Sequence, residues 1–263
     1  MKISIITVNY NNSDGLKQTI ESVCSQSYKE IEYIIIDGGS TDNSVPTIKL
    51  HKQDIYYWIS EKDNGIYEAM NKGLSHATGD YCLFLNSGDV FVNKNVLKRF
   101  FSDREYKDDL IVGRQLTIFP IGRQSKNRKI RLEDINKEFF YSNTLPHQCT
   151  FIKRQLLEEM GGYRTDYRIV SDWIFWFEAI VHRKASIKII DTLVATMQQG
   201  GISNDINKCH KEMARYLSSQ KSEFNAEDWQ KTIVAYQQSY SYQCATRTTL
   251  SRLLVKIALF LNK

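Results

Sequence analysis

The stretch IEYIIID, residues 31–37, decides the fold of this chain. From Tyr33 to Ile36 it is apolar at consecutive positions, and it ends in the carboxylate of Asp37. An unbroken apolar strand is typical of a parallel sheet, whose strands are buried on both faces. The sequence therefore predicts a sheet that is covered by helices on both sides.

Similar apolar stretches recur on either side of residues 31–37 and alternate with segments of helical period. We predict strands at residues 3–10, 31–37, 55–60 and 81–86, and helices at 16–27, 44–52 and 66–77. Strands and helices that alternate at this length form right-handed βαβ units. The predicted fold class is therefore α/β, with a mixed, mainly parallel sheet of the nucleotide-binding type.

Beyond residue 89 the pattern is less regular. Helices are predicted at residues 93–103, 154–160 and 172–181, and strands at 110–113 and 187–197. Residues 122–131 carry five basic and no acidic side chains, which predicts a solvent-exposed loop. The last segment of the chain has helical spacing and predicts a helical C-terminal extension.

Composition narrows the function classes. The 35 Lys and Arg residues against 30 Asp and Glu give a net charge of +5, too small for a dedicated nucleic-acid-binding protein. The five cysteines lie far apart without a CxxC pair, so we expect a reducing cytoplasm and neither a zinc site nor disulfides. No run of about 18 apolar residues is free of charge, so we expect no membrane-spanning helix.

Polar residues stand where the predicted strands end. Thr7 and Asn9 close the first strand, and Asp37 closes the second. Asn86 and Asp89 follow the fourth strand. The carboxyl ends of parallel strands share one edge of a sheet, and α/β proteins bind their ligands there. This arrangement predicts a polar ligand cleft.

Two common phosphate-binding signatures are absent from the sequence. Residues 11–15 stand where a GxGxxG motif would follow the first strand, and no GxxxxGK[ST] motif occurs. A divalent cation held by a carboxylate is the alternative way to bind phosphate, and Asp89 is the candidate ligand. Residues 40–42, in contrast, are typical of a turn at the start of a helix.

Seven segments carry a family resemblance. The first four, ISIITVNYNN, IEYIIIDGGSTDNS, SEKDNGIYEAMNKG and ATGDYCLFLNSGDVF, resemble the nucleotide-binding half of family 2 glycosyltransferases with the GT-A fold. The other three, LPHQCTFIKRQLLEEMGGY, RIVSDWIFWFEA and QGGIS, resemble the acceptor half of bacterial enzymes that build exopolysaccharide or O-antigen repeat units. The likeness is closest to the colanic-acid fucosyltransferase-like branch.

The resemblance implies a domain organisation and a reaction. Residues 1–203 would form a GT-A domain, with the donor half at 1–90 and the acceptor half at 91–203, and residues 204–263 a helical extension. The implied reaction is an inverting transfer of a sugar from a UDP- or GDP-sugar to a hydroxyl of a glycan that is attached to a lipid. The residues implied to bind the nucleotide sugar are Thr7, Asn9, Asp37, Asp63, Lys72, Asn86 and Ser87.

A divalent cation, Mg²⁺ or Mn²⁺, is also implied. The family's DxD motif corresponds here to Asn86-Ser87-Gly88-Asp89, so Asp89 is the one acidic ligand in the motif. Mg²⁺ tolerates a site with few carboxylates when water and phosphate complete its coordination shell.

Asp172 matches the family's catalytic carboxylate, in the segment Val170-Ser171-Asp172-Trp173 at the start of a helix. Its implied role is the general base that takes the proton of the acceptor hydroxyl. The alternative is that Ser171 or Asp172 caps this helix. For Asp63, too, the alternative is a turn that caps a helix, because the segment Asp63-Asn64-Gly65 precedes a predicted helix.

Contacts with the acceptor or its diphosphate are implied for His147, Gln148, Trp173, Gly200 and Gly201. The alternatives are a structural histidine, core packing for the aromatic residues at 173–177, and a chain turn for the two glycines. Residues 250–261 have an apolar stripe at helical spacing, with Arg252 and Lys256 off it, which makes the segment amphipathic and basic. This stripe predicts either a peripheral contact with the inner face of a membrane or packing against the enzyme or a second copy of the chain.

Two other function classes stay open. A sugar nucleotidyltransferase needs a glycine-rich, basic loop after its first strand, which residues 9–15 do not supply. A catalytically silent subunit that only binds the sugar nucleotide would keep Asp37 and could dispense with a metal at residues 86–89.

Overall fold

One mixed β-sheet organises the chain. The computed structural model describes residues 1–118, 124–126, 129–198, 205–220 and 226–245. Within these residues the strands are β1 (Ile3–Asn9), β2 (Ile31–Asp37), β3 (Tyr57–Ser60), β4 (Tyr81–Phe84), β5 (Val90–Phe91), β6 (Leu110–Ile118), β7 (Gln124–Lys126), β8 (Thr150–Lys153) and β9 (Ile187–Gln198). Their order in the sheet is β3-β2-β1-β4-β8-β6-β9-β5, and β7 pairs with β6.

Helices connect these strands and cover the sheet. They are α1 (Ser13–Cys24), α2 (Ser44–Leu50), α3 (Ile66–Ser75), α4 (Val96–Phe101), α5 (Phe139–Ser142), α6 (Arg154–Glu159), α7 (Ser171–Phe177), α8 (Ile206–Ser219) and α9 (Ala226–Ala245). A π-helical segment, Glu178–His182, continues α7. The predicted α/β class is confirmed.

The stretch at residues 31–37 is buried on both faces, as predicted. It lies parallel to β1, with Ile3 opposite Ile31 and Asn9 opposite Asp37. Ile34 and Ile36 belong to the apolar cluster under α3 and α7. Tyr33 and Ile35 belong to the cluster under α1, α2 and α4. Alternate side chains of one strand therefore anchor two separate helical layers.

The second half of the chain reverses the direction of the sheet. β8 lies antiparallel to β4, β6 lies antiparallel to β8, and β9 runs parallel to β6. The predicted strand at residues 110–113 continues to Ile118, because Leu116, Thr117 and Ile118 pair with β7. The prediction of a loop over all of residues 122–131 is therefore wrong at 124–126, which form the edge strand of this hairpin.

Several predicted features lie outside the described residues. These are Gly200, Gly201, the amphipathic stripe at 250–261 and part of the basic stretch. Among the residues that the structure describes, no helix combines the length and the apolar character needed to cross a membrane.

The buried carboxylate of Glu32 links the first two strands of the sheet by hydrogen bonds. The Glu32 side chain is fully buried, and its oxygens accept hydrogen bonds from Lys2 Nζ at 2.6 Å, Ser4 Oγ at 2.6 Å and Thr78 N and Oγ1, both at 2.7 Å. Burial alone would raise the pKa of Glu32, but these hydrogen bonds from Lys2, Ser4 and Thr78 lower it to about 2. The carboxylate therefore links β1, β2 and the turn that leads into β4.

We expect Glu32→Gln to lower the free energy of unfolding by about 1–3 kcal/mol at pH 7, because the NH₂ group of glutamine would face hydrogen-bond donors that now bind the carboxylate. The folded pKa is lower than the ordinary value of 4.5, so the contribution is present above pH 4.5 and is lost as the pH falls toward 2. Urea unfolding of both proteins at pH 7 and pH 3 measures the difference. Glu30→Gln, at an exposed neighbouring position, is the control and should match wild type; an equal effect of the two substitutions would contradict this role of Glu32.

Candidate active site

Residues from both halves of the chain meet at one edge of the sheet. β1, β2, β3 and β4 are parallel, so their carboxyl ends lie on the same side. β8 is antiparallel to β4, so its amino end, which follows the 3₁₀ turn His147–Cys149, lies on that side too. The edge therefore carries Asn9, Asp37, the loop at residues 86–89 and His147.

Asp37 shapes the loop that follows β2. It is fully buried, and its carboxylate accepts hydrogen bonds from Asn9 Nδ2 at 2.7 Å, Ser40 Oγ at 2.6 Å, Ser40 N at 2.9 Å and Ser60 Oγ at 2.6 Å. Burial works to raise the pKa of Asp37, yet the hydrogen bonds from Ser40, Ser60 and Asn9 bring it below its ordinary value. Asp37 and Asn9 thus form the floor of the site as a charged, hydrogen-bonded unit.

Thr7 lies below this floor. It is fully buried, its hydroxyl donates to Leu85 O at 2.8 Å, and it also shares a hydrogen bond with Tyr33 Oη at 3.1 Å. These hydrogen bonds connect β1 to β2 and to the end of β4. That Thr7 contacts the nucleotide sugar stays a prediction.

Tyr10, Gly38 and Asp63 form the outer wall of the site. Tyr10 is 67% exposed, and a Cβ on Gly38 would lie 2.7 Å from Asp63 Oδ2 and 3.4 Å from Tyr10 Cδ2. A side chain at position 38 would therefore displace the Asp63 carboxylate. Asp63 Oδ1 accepts from Gly65 N at 3.0 Å, and burial raises the pKa of its carboxyl. An open aromatic face and a partly desolvated carboxylate therefore lie together.

Lys72 lies beside this wall and forms an ion pair with Glu61. Its ammonium lies 2.5 Å from Glu61 Oε1, and this hydrogen bond raises the pKa of Lys72. Asp63 is close enough to add to the shift. The predicted donor-binding lysine is thus near the site, with its charge already paired.

Helix α1 holds the loop at residues 86–89. The buried Thr19 hydroxyl accepts from Gly88 N at 2.9 Å and lies 2.8 Å from Asp89 O. Asn12 Nδ2 donates to Ser87 O at 3.1 Å. Gly88 has a φ of 99°, which favours glycine. Sequence reasoning missed Thr19 and Asn12, although both follow the first strand at the place where a phosphate-binding loop was sought.

Asp89 and Asn86 present oxygen atoms that have no hydrogen-bond partner among the described residues. Burial raises the pKa of Asp89 to about 7, and no hydrogen bond from the described residues offsets it. The buried Asn86 Oδ1 also has no hydrogen-bond partner there. Two such oxygens are of the kind that a hard divalent cation binds. Within the described residues, no group of three or more His, Cys, Asp or Glu side chains could hold a metal.

Asp172 lies in the first turn of α7. The N-cap is Val170, and no side chain caps the helix, so the alternative that Ser171 or Asp172 is the cap is wrong. The Tyr67 hydroxyl, from the start of α3, lies 2.8 Å from Asp172 Oδ1 and 2.7 Å from Ile169 O. Burial and the negative charge of Asp172 raise the pKa of Tyr67 well above its ordinary value, so Tyr67 stays a hydrogen-bond donor.

The predicted acceptor residues separate into two groups. His147 Nε2 lies 2.8 Å from Tyr163 Oη, its ring stacks on Phe84, and burial lowers its pKa. It is therefore a neutral imidazole at the edge of the site, followed by the buried Gln148. Trp173 is only 1% exposed and its indole N–H donates to Phe140 O, which places its side chain in the core, while its contact with the acceptor stays a prediction.

Comparison with known sequences identifies glycosyltransferases, both by a family profile and by individual relatives. The sequence profile of Glycosyl transferase family 2 matches residues 4–161. An uncharacterised glycosyltransferase of Mycobacterium tuberculosis is 34% identical over 181 residues, which are 67% of this chain and 68% of the relative. A PGL/p-HBAD biosynthesis glycosyltransferase of Mycobacterium bovis is 28% identical over 210 residues, which are 77% of this chain and 79% of that protein.

Two solved structures share the fold. S. aureus TarS 1-349 in complex with UDP-GlcNAc matches with a TM-score of 0.69 and 16% identity, over 91% of this chain and 72% of TarS 1-349. The mannosyltransferase PcManGT from Pyrobaculum calidifontis, in complex with GDP-Man and Mn²⁺, matches with a TM-score of 0.62 and 14% identity. That match covers 99% of this chain and 80% of PcManGT.

We expect Asp37→Asn to lower the free energy of unfolding by about 1–3 kcal/mol, because the amide puts a donor against the hydroxyl and amide donors around it. Urea unfolding at pH 7 measures the loss. Asp54→Asn, at an exposed position of the same half, serves as the control and should unfold like wild type. If Asp37→Asn unfolds like wild type as well, Asp37 does not hold the floor of the site.

Proposed function

The chain belongs to glycosyl transferase family 2, and on this basis we propose that it moves a sugar from a nucleoside-diphosphate sugar to an acceptor hydroxyl, with inversion at the anomeric carbon. The observation that carries the proposal is the Asp172 carboxylate. It lies at the start of α7 without capping it, and one of its oxygens is held by Tyr67. The other oxygen has no hydrogen bond from the described residues and is available to a substrate.

The donor is a UDP- or GDP-sugar that binds between Tyr10 and Asp63. The exposed Tyr10 ring offers a face on which a nucleobase can stack. The Asp63 carboxylate can accept from a base N–H or a ribose hydroxyl. Support comes from the fold neighbours, TarS with UDP-GlcNAc and PcManGT with GDP-Man.

Asp89, with Asn86 beside it, would hold Mg²⁺ or Mn²⁺ together with the donor's phosphate oxygens. A cation at this position supplies positive charge that stabilises the departing diphosphate. The partnerless oxygens of these two residues support the assignment, as does the Mn²⁺ in PcManGT.

Asp172 acts as the general base. As the acceptor oxygen attacks the anomeric carbon, its proton passes to the free Asp172 oxygen, and the bond to the diphosphate breaks on the opposite face of the sugar. The single Tyr67 hydroxyl proton is shared between Asp172 Oδ1 and Ile169 O, so the other Asp172 oxygen is left to receive the proton of the acceptor. A single displacement of this kind inverts the anomeric centre.

The acceptor in this proposal is a lipid-linked glycan of a bacterial surface polysaccharide. The basic, amphipathic stripe at residues 250–261 supports a peripheral contact with the membrane that would carry such an acceptor. The relative named for PGL/p-HBAD biosynthesis is a second, weaker support. The likeness to the colanic-acid fucosyltransferase-like branch stays a prediction.

We expect Asp172→Asn to lower turnover by roughly two to four orders of magnitude, because an amide takes up no proton at neutral pH. Turnover is measured as release of UDP or GDP from a panel of sugar nucleotides, with a lipid extract of the producing cells as acceptor. Donor affinity and melting temperature should stay at the wild-type values, because Asp172 caps nothing.

Asp166→Asn is the matched control, at an exposed carboxylate of the loop before α7 that pairs with Arg164. It should keep wild-type turnover. Near wild-type turnover of Asp172→Asn would overturn the assignment of the base. A wild-type protein that binds UDP or GDP but releases none from any donor would instead be the silent binding subunit.

We expect Asp89→Ala to abolish turnover and weaken donor binding while the fold is retained, since an apolar side chain replaces a carboxylate that makes no hydrogen bond with the described residues. In thermal-shift measurements UDP or GDP with Mn²⁺ should raise the melting temperature of wild type, because the ligand binds the folded state. The shift should vanish with a chelator and in Asp89→Ala.

The exposed Asp14→Ala, on α1, is the control for this experiment and should keep the shift. Turnover of wild type that survives exhaustive chelation would exclude the metal role of Asp89.

A further inference from the structure

Helix α8 packs against the helix that carries Asp172. Tyr216 of α8 is fully buried, and its ring lies edge-to-face against Trp173 and Phe177 of α7, with centroids 5.8 Å away in both cases. Its hydroxyl donates to Glu178 Oε1 at 3.2 Å, where α7 continues as a π-helix. Movement of α8 would therefore disturb α7.

The same helix binds the loop that enters α7. Arg215 stacks over the ring of Tyr167 at 3.9 Å from its centroid and donates to Asp166 O. One turn earlier, Glu212 reaches the backbone of the three residues before α7. α8 thus follows this loop along most of its length.

Glu212 accepts three successive backbone N–H groups. Its Oε1 accepts from Arg168 N at 3.0 Å, and its Oε2 accepts from Ile169 N at 2.9 Å and Val170 N at 3.2 Å. Val170 is the N-cap of α7 and has no side-chain partner of its own. The carboxylate of a distant helix therefore fixes the backbone that leads into α7, up to and including its N-cap.

Tyr67 holds the same loop from the other side. Its hydroxyl lies 2.7 Å from Ile169 O and 2.8 Å from Asp172 Oδ1. The backbone of Ile169 is thus bound on both sides: its N–H donates to Glu212, and its carbonyl accepts from Tyr67. The position of the Asp172 carboxylate depends on both.

We propose that Glu212 is a positioning residue for the transfer reaction: by fixing the amides of residues 168–170, it sets the position of Asp172 relative to Tyr67 and the acceptor. The inference rests on the proposed role of Asp172 as the base. It also makes α8 a working part of the catalytic unit, because Glu212 and Arg215 both bind the backbone of the loop before α7.

Kinetics of Glu212→Gln and Glu212→Ala test the proposal. Gln keeps one acceptor oxygen for Ile169 and Val170 but presents N–H donors to Arg168, so we expect a smaller loss than with Ala. Misplacement of a catalytic group costs rate rather than ground-state binding. The turnover number should fall by about 10-fold in Glu212→Gln and about 100-fold in Glu212→Ala, with the KM of the donor unchanged.

The control is Glu227→Gln, which removes an exposed carboxylate that pairs with Lys231 on α9. It should keep wild-type kinetics. A double-mutant cycle with Tyr67→Phe separates positioning from general destabilisation. If both residues act by placing Asp172, the double variant should lose little more turnover than the poorer single variant, whereas independent effects would multiply.

Three outcomes overturn the proposal. One is a rise in donor KM that accounts for the whole loss, another is a double variant whose losses multiply, and the third is wild-type turnover in Glu212→Ala. Asp172→Asn in the same assay keeps the two claims apart. If Asp172→Asn loses turnover while Glu212→Ala does not, only the role of Glu212 is wrong; if Asp172→Asn keeps turnover, the proposed base is wrong.

Discussion

The antiparallel pairing of β8 with β4 is the constraint on which the rest of the structure depends. β4 is the last strand of the parallel half, and its carboxyl end opens into the loop that carries Asp89. Because β8 runs the opposite way beside it, the turn at His147–Cys149 must enter the sheet at that same edge. One reversal of strand direction thus places residues that are proposed to contact the donor and the acceptor at one edge of one sheet.

Three carboxylates, two on β2 and one after β4, differ in whether the protein supplies hydrogen-bond donors for them. Glu32 and Asp37 are satisfied by donors on neighbouring elements, and their pKa values are lowered. Asp89 is partly exposed and has no such donors among the described residues, and desolvation raises its pKa to about 7. The same residue chemistry therefore stabilises the fold at two positions and is left open to a ligand at the third, since burying an unpartnered charge is costly.

Local patterns in the sequence predict the first half of the fold well and the site only in part. The alternation of apolar strands with helical periods is a local property, so β1 to β4 and α1 to α3 follow from it. Which side of a strand faces the cleft is not local: Thr7 and Asn9 both end β1, yet the Thr7 hydroxyl is used inside the sheet. Tyr67 and Glu212 could not be found from their neighbours in sequence, because the groups they bind lie 102 and about 43 positions away.

The pairing of β5 with β9 sets an order of assembly during synthesis. β5 follows Asp89 directly, and Val90 and Phe91 lie opposite Thr196 and Ala195 of β9. The Thr196 hydroxyl and Val90 O are 106 residues apart in sequence. At the usual rate of chain elongation, about 5 to 20 residues per second, the ribosome needs on the order of 5 to 20 s to supply that partner. The strand next to the loop at residues 86–89 stays unpaired for that long, so slow codons or an arrested ribosome between residues 91 and 195 would prolong the exposure of this edge to chaperones and to other chains.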